Sequence, residues 1–561
     1  MDLCARGRDR GAMKDHNLRP EDQGPGEAPP LAGSPMHSPV RAPMHSPVHS
    51  KGRSPSDRVV ADPAIQLAPG GSETAPVESA VAPAADHETQ AAPVQGGLSR
   101  WAPVAIASAL FMEFIDSTAL STALPTLARG FHVDPVHLKL ALTSYLLALA
   151  VAAPAGGWIA DRFGARRVFL SAMGVFLLGS ICCGFSRSLP ELVAARILQG
   201  GGGAMMVPVG RLIIVGSTPK ARLVSAMAWF TTPALVGPLV GPPIAGFVLG
   251  VADWPWIFFI NVPVGLLGML AVARLAPNLQ RPHPGRFDTQ GFLLAGVAIS
   301  ALVVLAETLG MRLLPPAIEL GLALVLVGAG ALFLRHVRRV ERPILDLGLL
   351  KHQTYRASLA GGTLVRLGVG ATPFLTPLLL QVGLGWTPVK AAFVTISIGF
   401  GAMSARTMTR RIIARLGFRS VLLISGVGAA VLSALPGFFR PATPIWLMIF
   451  ILYISGMVRS TQFISANTIA YADIPAGEVT RASTLASVVQ QIGLSLGVSF
   501  GALMLTITRG GAHGGSGGAL TPDRFTLPFL MIGASTLLAQ PIYAALNKDA
   551  GAEISGRRVG A

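Results

Sequence analysis

The stretch Gly157-Trp158-Ile159-Ala160-Asp161-Arg162-Phe163-Gly164-Ala165-Arg166-Arg167 decides how this chain is read. It concentrates charge and glycine in a short segment between two long apolar runs. An apolar run on each side makes it a tight turn between two membrane-spanning helices. Gly157 and Gly164 suit sharp turning and close backbone approach. Asp161 can meet a helix N-terminus or pair with Arg162, Arg166 or Arg167. Taken alone, such a basic turn is a topology anchor on the cytoplasmic side.

The rest of the chain agrees with a membrane setting. It is 51% hydrophobic and 13% charged, with mean hydropathy +0.56, too apolar for an ordinary soluble protein. Apolar runs recur from Trp101 to Leu546. They are continuous, so a closed β-barrel, whose strands alternate, is excluded. At roughly 20 apolar residues per helix there are about fourteen spans. They fall near 101–125, 136–160, 167–186, 189–214, 222–250, 256–275, 288–309, 315–335, 357–381, 389–409, 419–438, 443–469, 482–507 and 525–547.

Loop charges test the count. Alternate loops carry Arg162/Arg166/Arg167, Lys220/Arg222, Arg274/Arg281/Arg286, Arg335/Arg338/Arg339/Arg342/Lys351, Arg410/Arg411/Arg415/Arg419 and Arg481, and Lys548/Arg557/Arg558 follow the last span. The loops between them hold little. This alternation predicts an even number of spans with both termini cytoplasmic. It also accounts for the net charge of +17 by a lipid surface, with no need of nucleic acid.

Residues 1–99, rich in Pro, Ala, Gly, Ser and His, show no apolar periodicity and are expected to be a disordered cytoplasmic tail. Pro-Met-His-Ser-Pro-Val occurs at Pro35–Val40 and again at Pro43–Val48, without a metal-binding cage. No secretory apolar region stands near Met1. Cys4, Cys182 and Cys183 give neither a disulfide framework nor a metal spacing. Gly200–Gly203 lacks a phosphate-loop lysine and reads as helix packing. With no catalytic constellation, an enzyme and a resident cofactor are not expected.

Five motifs in register resemble the major facilitator superfamily, specifically its fourteen-span drug/proton antiporter branch (EmrB/QacA-like). The opening turn resembles the loop between spans two and three. Ile115-Asp116-Ser117-Thr118, ending at Leu124-Pro125, resembles the first-span motif, and Arg196-Ile197-Leu198-Gln199-Gly200-Gly201-Gly202 the fourth-span motif. Gly237-Pro238-Leu239-Val240-Gly241-Pro242-Pro243-Ile244-Ala245-Gly246 resembles the fifth-span antiporter motif, with Ala245 where a second glycine is usual. Trp256-Ile257-Phe258-Phe259-Ile260-Asn261-Val262-Pro263-Val264-Gly265 resembles the entry to span six.

The resemblance implies an all-α polytopic protein of two six-helix bundles of inverted repeats plus two extra central helices. Its domains would be a tail at 1–99, an N-terminal bundle at 100–275, a linker with the two extra helices at 276–352, a C-terminal bundle at 353–548 and a tail at 549–561. It implies proton-coupled efflux of drugs or other amphipathic small molecules from the bacterial inner membrane, by alternating access between the bundles. Protons, the small-molecule substrate and the bilayer are then the partners, and a periplasmic adaptor with an outer-membrane channel could join them. A metabolite or siderophore exporter, or a scaffold or receptor that moves nothing, are the alternatives. The opening turn becomes a conformational latch built from Gly157, Asp161, Arg162, Gly164, Arg166 and Arg167. Its counterpart at Arg410–Arg419 keeps Arg415, Gly417 and Arg419 but has Arg410 and Ala414 where a glycine and an aspartate are expected. Gly237, Pro238, Gly241, Pro242 and Gly246 form the antiporter motif.

Ionisable residues inside spans are costly and mark function. Glu113 and Asp116 share a helix face. Asp116 lies about 13 Å below Pro125 and Arg196 about 10 Å into span four, so the two are expected to meet and to carry proton coupling, with Glu113 secondary. Arg366 and Arg459 lie in spans nine and twelve, and no Asp or Glu lies deep within spans nine to fourteen, Asp473, Glu478 and Asp523 being in loops. With Gln462 and Gln490 the two arginines are candidate substrate-binding residues, for which an anionic or zwitterionic amphipathic compound is expected at least as much as a simple lipophilic cation. Tyr145, Gln381 and Trp386 fit family positions in spans two and nine to ten, although an aromatic at a span end is more often an interface anchor; Glu307 is expected to be solvated, and Asp288 to cap a helix.

Overall fold

The computed structural model describes residues 101–555, apart from 219–221, 223–225, 228, 231–232, 280–284, 309–313, 342, 476–477 and 510–519. The N-terminal tail, Lys220, Arg281, Arg312, Arg342 and the last arginines therefore lie outside the described residues. The described chain is helical, without a strand. Thirteen helices are long and apolar enough to cross a membrane. In order they are α1 (Ala102–Gly130), α2 (Lys139–Phe163), α3 (Ala165–Phe185), α4 (Leu189–Ser217), α6 (Trp256–Leu275), α7 (Thr289–Thr308), α8 (Pro316–Val337), α9 (Gln353–Gly383), α10 (Pro388–Leu416), α11 (Phe418–Phe438), α12 (Ile445–Ile469), α13 (Val479–Thr508) and α14 (Pro522–Ala544). With α5 (Pro233–Val251) they occupy the fourteen expected positions.

Local chemistry sets many of the ends. Ser188 and Glu191 open α4 as a capping box, the Glu191 N–H donating to Ser188 and the Arg187 N–H to Glu191. Thr387 accepts from the Lys390 N–H ahead of Pro388 at the start of α10. Asp288 caps α7 as expected, accepting from the Gly291 N–H at 2.8 Å. It also accepts from the Ile344 N–H and meets His336 at 2.7 Å. Burial raises the Asp288 carboxyl, but these bonds outweigh it and hold the group below the usual carboxylate range. Gly164 and Gly417 stop α2 and α10 with φ of 93° and 77°, a backbone that L side chains rarely adopt. One expectation fails at the far end of α1, which runs on through Pro125 to Gly130.

The helices pack in a pattern that repeats with a shift of eight. α1 lies on α5, α2 and α3 on α4, and α3 on α6; α9 lies on α13, α10 and α11 on α12, and α11 on α14. The halves meet through α2 on α13 and α5 on α10. α7 and α8 pair with each other, and α7 also touches α2 and α13. At the end away from the opening turn, apolar side chains of both halves merge into one core, with Leu120, Leu124, Phe374 and Leu378 fully buried. There the Gln381 side chain donates to Thr122 O at 2.8 Å and Arg509 pairs with Asp134 at 2.6 Å. That end is closed.

Small residues allow this closeness. The Gly200–Gly203 run is indeed packing: a Cβ on Gly202 would sit 2.5 Å from the Phe176 backbone nitrogen, whereas Gly201 faces open space. Gly202→Ala should therefore push α4 off α3 and cost about 1–3 kcal/mol, lowering the melting midpoint in detergent, while Gly201→Ala leaves it unchanged. Equal midpoints for the two variants would contradict this packing account.

Candidate functional site

Asp116 and Arg196 meet. The arginine Nη1 lies 2.5 Å from Asp116 Oδ2, and both side chains are fully buried. The meeting follows from helix faces: α1 presents Asp116 inward, and α4 brings Arg196 and, one turn on, Gln199 to the same level. Gln199 Nε2 and Asn261 Nδ2 each donate to Asp116 Oδ1 at 2.9 Å. The carboxylate thus accepts from three side chains on two helices, α4 and α6.

Arg196 is held on its other sides as well. It donates to Ala141 O at 3.1 Å and to Gln199 Oε1 at 2.6 Å, and its guanidinium lies 4.2 Å from the centre of the Tyr145 ring. Tyr145 is buried, so it is a wall of this site and not the interface anchor expected. Glu113 is also buried, and its Oε2 has no hydrogen-bond partner among the described residues. Gln199 and Asn261 were missed as site residues, although both stand inside quoted motifs. Their signal was that three motif segments carry a hydrogen-bonding side chain at a buried helix position.

The opening turn is positioned differently from a simple loop. The Ala165 N–H donates to Leu279 O at 2.7 Å, the Arg166 N–H to Asn278 Oδ1, and the Arg166 side chain to Ala273 O and Ala276 O. These bonds tie the turn to the segment leaving α6, within its own half. Gly164 is needed there, because a Cβ would strike the Asn278 side chain; Gly157 faces open space, so the close approach expected of it is absent. In the antiporter motif, Gly237 and Gly241 seat α5 against Phe114 and Thr118 of α1, and Gly246 faces Ala392 and Pro388 of α10. Ala245 is fully buried.

In the second half, Arg366 is 3% exposed. Its one hydrogen bond runs from Nη2 to Asn467 Oδ1 at 3.0 Å, leaving Nε and Nη1 without partners among the described residues. Arg459 donates to Thr372 Oγ1 at 2.9 Å. Neither arginine forms an ion pair among the described residues. Gln462 is occupied elsewhere, accepting from Ser425 on α11, and Gln490 is half-buried. Gln381 holds the far end closed, and Trp386 carries Lys390 over its ring at 4.2 Å. Glu307 corrects the expectation of a solvated group: it is 4% exposed and pairs with Lys139 at 3.1 Å.

Two six-helix bundles related by a shift of eight helices, with paired charges buried in one of them, define a polytopic membrane transporter fold. The family model described as Major Facilitator Superfamily matches residues 106–498, and the chain belongs to that superfamily. It is 37% identical over 454 residues to the "Putative multidrug resistance protein MdtD" of Escherichia fergusonii, covering 80% of this chain and 95% of the relative. The MdtD protein of Escherichia coli O157:H7 matches to the same extent. Among solved structures, a D-xylose-proton symporter aligns with TM-score 0.56 at 15% identity, over 80% of this chain and 98% of that one. A POT family transporter in complex with 5-aminolevulinic acid aligns with TM-score 0.58, also at 15% identity, over 79% and 95%. At such identity they show the shared fold.

The ion pair makes a direct stability prediction. Arg196→Met should cost roughly 3–5 kcal/mol, because it strands a buried carboxylate, and adding Asp116→Leu should restore most of that loss. Thermal unfolding in detergent measures both. A double variant as unstable as the sum of the two single variants would contradict the pairing.

Proposed function

We propose that this protein exports amphipathic small molecules from the cytoplasm of a bacterium in exchange for protons, across the inner membrane and with both termini cytoplasmic. The observation that carries the reading is the buried Asp116–Arg196 pair on two helices of one bundle. While ionised, Asp116 draws Arg196, Gln199 and Asn261 together. A proton on the carboxylate cancels the charge that three donors converge on, and Arg196 is left with Ala141 O, Gln199 and the Tyr145 face. The contacts between α1, α4 and α6 then loosen, and the bundle can change its packing. The multidrug-resistance names of the relatives support drug-like cargo.

The second half supports a cargo that carries negative charge. A buried guanidinium without a counter-charge is expensive in a membrane. The buried Arg366 and the half-buried Arg459 have neutral partners only among the described residues, so an anionic or zwitterionic group on the substrate supplies what this half lacks.

In proteoliposomes with an imposed pH gradient, the wild type should accumulate an amphipathic probe, and Asp116→Asn should lower that driven flux at least about tenfold, the scale of one lost charge interaction. Full driven transport by Asp116→Asn would remove the carboxylate from the coupling. The same vesicles compare fluorescein-type anions with ethidium. Transport of permanent cations alone, unchanged by Arg459→Ala, would overturn the reading of cargo charge. For the turn, Asp161→Asn should reduce flux more than any substitution at Ala414; equal effects would leave Gly157–Arg167 an anchor and no latch.

A further inference from the structure

A second buried charge cluster lies outside the site just described, where α7 passes between the halves. Lys139, fully buried at the first residue of α2, reaches Glu307 near the end of α7. Its Nζ lies 3.1 Å from Glu307 Oε2 and donates to Glu307 O at 2.8 Å. From the other side, Ser499 of α13 donates to Glu307 Oε1 at 2.5 Å. One carboxylate therefore joins the first half, the second half and the extra helix pair. It does so toward the closed end, where Asp134 and Arg509 link the same two halves.

The cluster cannot survive an opening of that end intact. α2 and α13 belong to different halves, so parting them near their far ends draws Ser499 or Lys139 away from Glu307. An ionised glutamate that loses Lys139 is strongly unfavourable inside a membrane, and one that loses only Ser499 keeps its counter-charge but forfeits a hydrogen bond. A proton removes that charge, and the outer medium supplies one as soon as the end begins to open. The other groups near the carboxylate do not substitute for the proton. α2 offers Lys139 and α13 offers the neutral Ser499. On α8, packed along α7, Glu319 forms no hydrogen bond or ion pair with Glu307 among the described residues, and Arg509 is committed to Asp134.

We propose that Glu307 is a second proton-binding site, which takes its proton from the outer face and makes opening of that face conditional on doing so. The extra helix α7 is thereby a working part of the transport cycle. The inference rests on the proton-antiport reading, yet its first consequence, that a neutral residue at 307 favours the open end, can be observed without any transport.

Spin labels at Arg129 and Ala442, both exposed near the far end of their respective halves, report its opening in a background with the three cysteines replaced. In alkaline buffer, Glu307→Gln should raise the ratio of open to closed distances about tenfold over the wild type and lose the response to acidification, whereas Glu307→Asp should keep it. Unchanged distance distributions and an unchanged pH response in Glu307→Gln would overturn the proposal. To separate folding damage from opening, Ser499→Ala, which keeps the ion pair, should show a smaller shift in the same direction. If the wild type moves no probe under a pH gradient while Glu307→Gln still opens the end, the antiport reading fails and the gating role stands. If Asp116→Asn abolishes driven flux while Glu307→Gln neither opens the end nor alters flux, the gating role fails and the antiport reading stands.

Discussion

A charge inside a bilayer must bring its own counter-charge or be surrounded by dipoles that stand in for one. The arrangement of this molecule follows from how its few intramembrane charges meet that condition. Asp116 is matched by Arg196 and steadied by two amides from different helices. Glu307 is matched by Lys139 across the seam between α2 and α7. Arg366 and Arg459 are matched by nothing charged among the described residues, only by Asn467 and Thr372. The first pair sits within one half, the second between the first half and the extra helix α7, and the arginines in the half whose spans carry no acid deep within them. Those three placements are the ones to which the proposals above assign coupling, gating and cargo recognition.

Much of the architecture was legible because membrane folding obeys a coarse constraint. Continuous apolar runs report spans, and each expected span has its helix. The Asp116–Arg196 contact was also legible, since two costly residues at matching depth have few other places to go. Asp288 behaved as a local rule requires, its cap being decided within three residues. Gln199 and Asn261 were harder, because an amide gives no sign in sequence of which way it faces.

Glu307 was misread for a physical reason. A carboxylate near a helix end ordinarily reaches water, and a lysine opening a helix ordinarily snorkels outward. What reverses this is the layer of α7 lying across α2 and α13, which covers both residues; Ser499, 192 positions away in sequence, completes the cluster. Tyr145 was misjudged in the same way, its ring being roofed by α4 where a span end would have exposed it. The opening turn was legible as a turn, but its attachment was not: nothing in its own residues announces that the carbonyl of Leu279 will accept the Ala165 N–H.

The glycines of α5 bear on the ease of motion. Gly237 and Gly241 set one stretch of the helix on α1, while Gly246 brings a later stretch against α10, and Gly399 of α10 returns the favour by admitting Leu239. The glycine side of each contact has no rotamer to exchange as it slides, and at Gly246 it meets only the Ala392 methyl and the backbone of Pro388 and Val389. A joint of that kind can slide with few side chains unlocking and relocking, so in the proposed cycle the energetic steps would fall to the buried charges and the friction of the bearing would stay low.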